Sequence, residues 1–188
     1  MKHINCCLLA ILLLAYSQAY TQTEAEQKAW MAYMTPGTVH QMVAKSDGDW
    51  NADVTMWMSP GAAPTKSTAA CTNKMILGGR YQETKYTGTM MGMPFEGMGL
   101  LAYDNAKKVF ITTWIDNMGT GLMHLEGPWD ESTRSINFTG KSVDPTTGKD
   151  MDVRQVFKWI DDNNQQLEMY MQMNGQEVKT MEIKLTRK

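Results

Sequence analysis

The sequence predicts an all-β protein: an antiparallel up-and-down β-barrel of about ten strands, preceded by short helices. Three observations predict it. From Trp50 to the C-terminus, apolar residues recur at every second position instead of every third or fourth. Turn-forming clusters such as Ser59-Pro60-Gly61, Gly78-Gly79, Asp104-Asn105 and Asp161-Asp162-Asn163-Asn164 punctuate that rhythm at short intervals. No helical stretch separates the strand candidates, which excludes a parallel βαβ arrangement. A meander of this kind left open would carry two unpaired edges, and closure into a barrel removes both.

The chain begins "MKHINCCLLAILLLAYSQA". Lys2 and His3 precede an apolar run from Cys6 to Ala15, and Ser17 and Ala19 follow two apart. This is the layout of a cleaved secretory signal peptide over residues 1–19. A membrane span needs about twenty apolar residues, more than the run supplies. Cys6 and Cys7 precede the run, whereas a lipidated cysteine would follow it. The expectation is therefore a secreted or periplasmic protein, with no membrane span in its mature chain. Three segments follow: residues 1–19 as signal, 20–46 as a helical segment and 47–188 as the barrel domain.

In the helical segment, "EAEQKAWMAYM" places Trp30, Tyr33 and Met34 on one stripe. Thr35-Pro36 then reads as a cap followed by proline at the first position of a second helix. That helix, "PGTVHQMVAKS", aligns Val39, Met42 and Val43 and ends at Asp47-Gly48. The first strand, "WNADVTMWM", alternates Trp50, Ala52, Val54, Met56 and Met58 against Asn51, Asp53 and Thr55, with Trp57 as an apolar residue on the other face. Further strands are expected near 66–76, 80–90, 95–103, 107–116, 120–129, 133–142, 151–160, 165–173 and 177–187. Asn174-Gly175, between two alternating runs, is a hairpin signal. Leu167, Met169, Met171 and Met173 share one face, as do Met181, Ile183, Leu185 and Arg187. Gly92, Gly97 and Gly99 are expected at bulges, bends or barrel corners.

Gly48-Asp49-Trp50, opening the first strand after a short helix, resembles the G-x-W signature of the calycin superfamily of lipocalin-like barrels. That resemblance implies a tryptophan closing the barrel base beneath a basic residue near the end of the last strand, and Arg187 suits the role. The segments "HQMVAKSDGDW", "GGRY", "GMPFEGMGLLAYDN", "TTWIDNMGTG" and "MEIKLTRK" are similar to an uncharacterised bacterial domain-of-unknown-function family, DUF1579. The family implies a calycin-like barrel and a bacterial source, and it implies no activity. Ser46 or Asp47 stands where an apolar residue is expected, which implies looser packing of the helix end.

Composition excludes several classes. The formal net charge is −2, without a basic block or acidic tail, so neither nucleic acid nor an anionic membrane is an expected partner. Of 3 cysteines, only Cys71 lies beyond the signal, so no intrachain disulfide is available there. Cys71 reads as a small apolar residue in "TAACT" and not as a redox thiol. No G-x-S-x-G, H-E-x-x-H or C-x-x-C motif is present.

Methionine is the compositional anomaly, at 18 residues, several spaced two apart. Such spacing aims thioethers at one face of a strand. An adaptable apolar interior suits a small apolar ligand, and a barrel of this width has room for one. The ligand-binding candidates are Met56, Glu83, Phe95, Met169 and Met171; Trp50, Arg187 and Gly48 are structural. No cofactor and no metal site is assigned. The first alternative is a Cu(I) site built from Met90, Met91, Met93 and Met98. The second is an enzyme using interior carboxylates, with Glu83 and Glu96 as candidates. His40 and His124 are candidate haem ligands, but a lone histidine reads more simply as a surface or satisfied polar residue, and His124 is expected to point outward.

Overall fold

The structure is a computed structural model that describes residues 23–173 and 175–188. The expected signal peptide and Asn174 of the expected hairpin turn lie outside the described residues.

Two compact units divide at Thr35/Pro36. In the first, the described element is helix α1, Glu24–Met34. A capping box starts it: Thr23 Oγ1 accepts the Glu26 N–H at 3.2 Å, and the Glu26 carboxylate accepts the Thr23 N–H at 2.7 Å. The Trp30–Tyr33–Met34 stripe forms, its two rings edge to face at 6.0 Å, and no residue of α1 is buried.

The second unit, Pro36–Lys188, holds helix α2 (Thr38–Ala44) and eleven strands: β1 Gly48–Met56, β2 Thr65–Ile76, β3 Tyr81–Met90, β4 Met93–Asp104, β5 Val109–Asp116, β6 Met123–Gly127, β7 Trp129–Asp130, β8 Ser135–Val143, β9 Asp150–Trp159, β10 Asn164–Met173 and β11 Gln176–Arg187. Pro36 precedes α2 and does not open it. Gly37 is the cap residue, and His40 Nδ1 reaches back to accept its N–H at 3.0 Å. The cap thus comes from inside the helix, while Thr35 Oγ1 bonds backward to Met31 O.

Chain neighbours pair antiparallel except β6 and β7, and β1 pairs with β11 from Trp50↔Arg187 to Met56↔Met181. The sheet closes where β6 pairs with β8, so the expected all-β barrel forms. The strand expected at 120–129 is split: β6 ends at Gly127, and β7 resumes after Pro128. Proline has no N–H to give a ladder, so the strand breaks there. Both pieces pair with β8 and act as one stave, which makes ten staves from eleven strands.

A bulge leaves Thr180 unpaired between Met169↔Met181 and Tyr170↔Lys179. Its hydroxyl donates to Met169 O, and its carbonyl accepts the Trp57 N–H at 2.9 Å. Lys179 lies 5.3 Å from the Trp57 ring centre, which accounts for an indole on the outer side of the sheet. Gly97 and Gly99 mark no bulge, because the register of β4 with β5 runs unbroken. They face inward, and the Trp114 ring lies on them so closely that a Cβ on Gly97 would overlap it.

Candidate ligand-binding interior

One end of the barrel is closed by a floor that the sequence resemblance implied. Arg187 stacks on Trp50, its guanidinium carbon 4.3 Å from the ring centre, and Trp50 is fully buried. The fork is also bonded to backbone carbonyls: Nη1 to Asp47 at 2.7 Å, Nη2 to Lys45 at 2.6 Å and Nε to Asp162 at 2.9 Å. It therefore ties the end of α2 to the β9–β10 turn. Gly48, at φ +123°, makes the exit from α2 into β1, and a Cβ there would stand 3.1 Å from Nη1.

Ser46 and Asp47 do not loosen the helix end. The Ser46 carbonyl accepts from Trp50 Nε1 and Asn73 Nδ2, and Gln82 Nε2 donates to Val43 O and Asp47 Oδ1. Asp47 Oδ2 takes the Met75 N–H. A satisfied polar network replaces apolar packing there. His40, placed off the apolar stripe by sequence, is buried against Tyr103 at 6.0 Å ring to ring. Burial, and then the charge of Arg80, lower its pKa from the usual imidazole range.

Above the floor the core is divided. One cluster, Trp50, Ala52, Val54, Cys71, Tyr86, Phe95, Ile183 and Leu185, lines the β1–β4 and β11 wall. The other, Val43, Phe110, Leu125, Ile136, Phe138, Val153 and Trp159, lines the β5–β9 wall and includes α2. Phe157 packs against both. The residues between the walls face inward yet stay half-buried: Leu101, Thr112, Trp114, Phe157, Leu167 and Met169. A filled core would bury them. Toward the end opposite the floor, Met56, Met90, Met123, Met171, Met173 and Met181 also face inward and are half-buried. Met58, Met91 and Leu122 in the loops there are 64%, 65% and 64% exposed, and that end is called the mouth.

The site residues expected from sequence divide accordingly. Met56 and Phe95 belong to the first wall, Met169 and Met171 to the second, and all four face the interior. Glu83 does not join them. Gln82, Thr84 and Tyr86 are the inward residues of β3, so Glu83 lies on the outer face, 2.8 Å from Lys85 Nζ. Glu96 is exposed on the outer face of β4. The four methionines of the Cu(I) alternative diverge: Met90 packs inward, Met91 and Met93 are exposed at the hairpin, and Met98 lies on the outer face of β4. Among the described residues no three His, Cys, Asp or Glu side chains converge as a metal site. His124 is exposed on the outer side of β6. Cys71 is 1% exposed, and burial lifts its thiol to about 11; burial also raises Tyr86 opposite it.

Sequence reasoning missed four polar or aromatic interior groups: Gln155, Gln165, Trp159 and Trp114. The signal was present. Gln155 and Gln165 sit on the apolar side of their strands, in Val153-Gln155-Phe157-Trp159 and Gln165-Leu167-Met169. Trp159 Nε1 and Gln165 Oε1 are buried without a hydrogen-bond partner.

The outer face carries two shallow depressions. One, of about 390 Å³, crosses β8 to β11 over Lys141, Asp152, Arg154, Tyr170 and Glu177. Its charges are already paired: Arg154 holds Glu177 through two bonds and lies 3.9 Å over the Tyr170 ring, and Lys141 meets Asp152 at 3.0 Å. The other, about 930 Å³ and wide open, spans the polar outer face of β1 to β3.

A family model described as a protein of unknown function (DUF1579) matches residues 35–187. Among curated proteins none matches. The fold is similar to the crystal structure of Rv2717c from M. tuberculosis, with a TM-score of 0.59 at 14% identity, covering 82% of this chain and 99% of that one.

Proposed function

Because the chain belongs to the DUF1579 family of proteins of unknown function, its role has to be read from the site itself, and we propose that it binds a small apolar molecule in the barrel interior without catalysing a reaction on it. One observation carries this reading: inward-facing Leu101, Thr112, Trp114, Phe157, Leu167 and Met169 are half-buried between two separate packed walls. Apolar surface left accessible inside a closed sheet is a standing gain for any apolar guest, at roughly 25 cal/mol per Å² covered. The methionines at the mouth add unbranched side chains that adjust to different shapes. The signal-type N-terminus supports action outside the cytoplasm, in a periplasmic or secreted setting.

The test is titration of the purified protein with Nile red, together with native mass spectrometry for a co-purifying molecule. Saturable binding of one dye per chain is the expected result. A Leu167→Trp variant fills the space and should weaken binding by about tenfold or more, with thermal stability retained. No saturable binding, or equal binding by the filled variant, would overturn the proposal.

A further inference from the structure

The two orphaned polar atoms define what kind of molecule the interior takes. Trp159 and Gln165 are paired residues on β9 and β10, 7% and 2% exposed. Both lie on the inward face, at the floor end of the barrel. Trp159 Nε1–H is a donor without an acceptor, and Gln165 Oε1 is an acceptor without a donor. Neither atom is reached by solvent, so a polar atom that serves both enters by parting the two side chains, whose Cβ atoms at directly paired positions stand about 5 Å apart. The next inward pair toward the mouth is Phe157↔Leu167, both half-buried, so accessible space ends immediately above the polar pair.

Charge narrows the choice further. The strand lysines and Arg154 all lie on the outer face, where Lys85, Lys141, Arg154 and Lys179 are paired with carboxylates. Arg187, at the floor, is committed to three carbonyls and the Trp50 ring. No described interior group offers a cation to a carboxylate. An ionised head group would enter uncompensated, which is costly in a low-dielectric space. A hydroxyl accepts from an indole N–H and donates to an amide oxygen with one atom, and it carries no charge.

We infer that the ligand is a neutral amphiphile with a terminal hydroxyl, an alcohol whose oxygen bridges Trp159 Nε1 and Gln165 Oε1 while its apolar body lies along Phe157, Leu167 and Met169 toward the methionine mouth. This rests on the interior-binding reading above.

The experiment compares three probes of equal length on the full chain: 1-decanol, methyl nonyl ether and decanoate. The ether accepts a hydrogen bond and cannot donate one; decanoate is charged. Affinities come from Nile red displacement, and the indole resonance of Trp159, assigned with Trp159→Phe, reports contact. Decanol should bind about tenfold tighter than the ether, because the ether leaves the Gln165 oxygen unpaired, and tighter still than decanoate. Decanol and ether should both move the Trp159 resonance. Gln165→Leu should abolish the preference for alcohol over ether and leave ether affinity in place. Equal affinities of alcohol and ether, decanoate binding as well as decanol, or a Trp159 resonance unmoved by saturating decanol would each overturn the inference and leave interior binding standing. Failure of every probe to displace or bind would overturn interior binding itself.

Discussion

Replacing Arg187 with alanine removes the clamp that closes the floor. Its worth can be built from the bonds it makes. The carbonyls of Lys45 and Asp162 sit at exposed positions, so water replaces the guanidinium there, and each lost bond costs about 0.5–1 kcal/mol. The Asp47 carbonyl is partly buried and recovers water less well, at about 1.5 kcal/mol. Removing the cation from the Trp50 face adds about 1 kcal/mol. The sum is about 4 kcal/mol, and a domain of this size loses about 3 °C per kcal/mol, so the melting temperature should fall by about 10 °C. Arg187→Lys retains the charge over the ring but presents a point in place of a fork, and it should lose about half as much. Calorimetry or urea unfolding followed by total tryptophan emission measures both. Alanine costing under about 1 kcal/mol, or lysine matching the wild type, would refute the assignment of Arg187 as a bidentate bridge between α2 and the β9–β10 turn.

Three further outcomes are expected. Native Cys71 should be inert to a thiol reagent in mildly alkaline buffer and react fully in concentrated guanidinium chloride, because burial lifts its thiol to about 11 and covers it; rapid native reaction would contradict the described packing. His40 titrates below its unfolded value of 6.5, so its contribution is fully present above that pH, and stability declines as pH drops because the unfolded chain takes up the proton first. Unfolding midpoints between pH 7 and 5 should show a shallower decline in His40→Asn, and an identical slope would remove His40 as the cause. Gly97→Ala forces a methyl into the Trp114 ring and should cost about 1–3 kcal/mol with a shift in tryptophan emission; a variant matching the wild type in both would show that the ring has room to move.

Most of the scaffold was legible because a closed antiparallel sheet writes its geometry locally. Alternation fixed the inward face of β1 through Trp50, Ala52 and Val54, and of β11 through Ile183 and Leu185. The Trp50–Arg187 clamp was visible from a resemblance and an end-to-end parity. Features that depend on what another strand does were not legible. Pro128 falls where a ladder N–H is needed and divides the stave, and Thr180 bulges where its carbonyl accepts the Trp57 N–H. Gly97 and Gly99 look like bends until Trp114, fifteen or more positions on, is seen lying across them. Glu83 was assigned inward for want of a parity check against Gln82 and Tyr86, whose burial fixes β3 the other way. The polar pair at the floor needed only that same check, applied to Gln165 among Leu167 and Met169.

The cylinder is fastened unevenly. Along the stave made of β6 and β7 the ladder to β8 has five rungs, His124↔Lys141, Leu125↔Gly140 and Glu126↔Thr139 before Pro128 and Trp129↔Ile136 and Asp130↔Ser135 after it, against seven unbroken ones between β1 and β11. A short row of teeth parts first under thermal agitation, so deuterium should enter these amides ahead of the rest of the wall. Each parting turns the tube into a ribbon with a slit down its side, and the inward-facing apolar residues beside it meet water for as long as the row stays open.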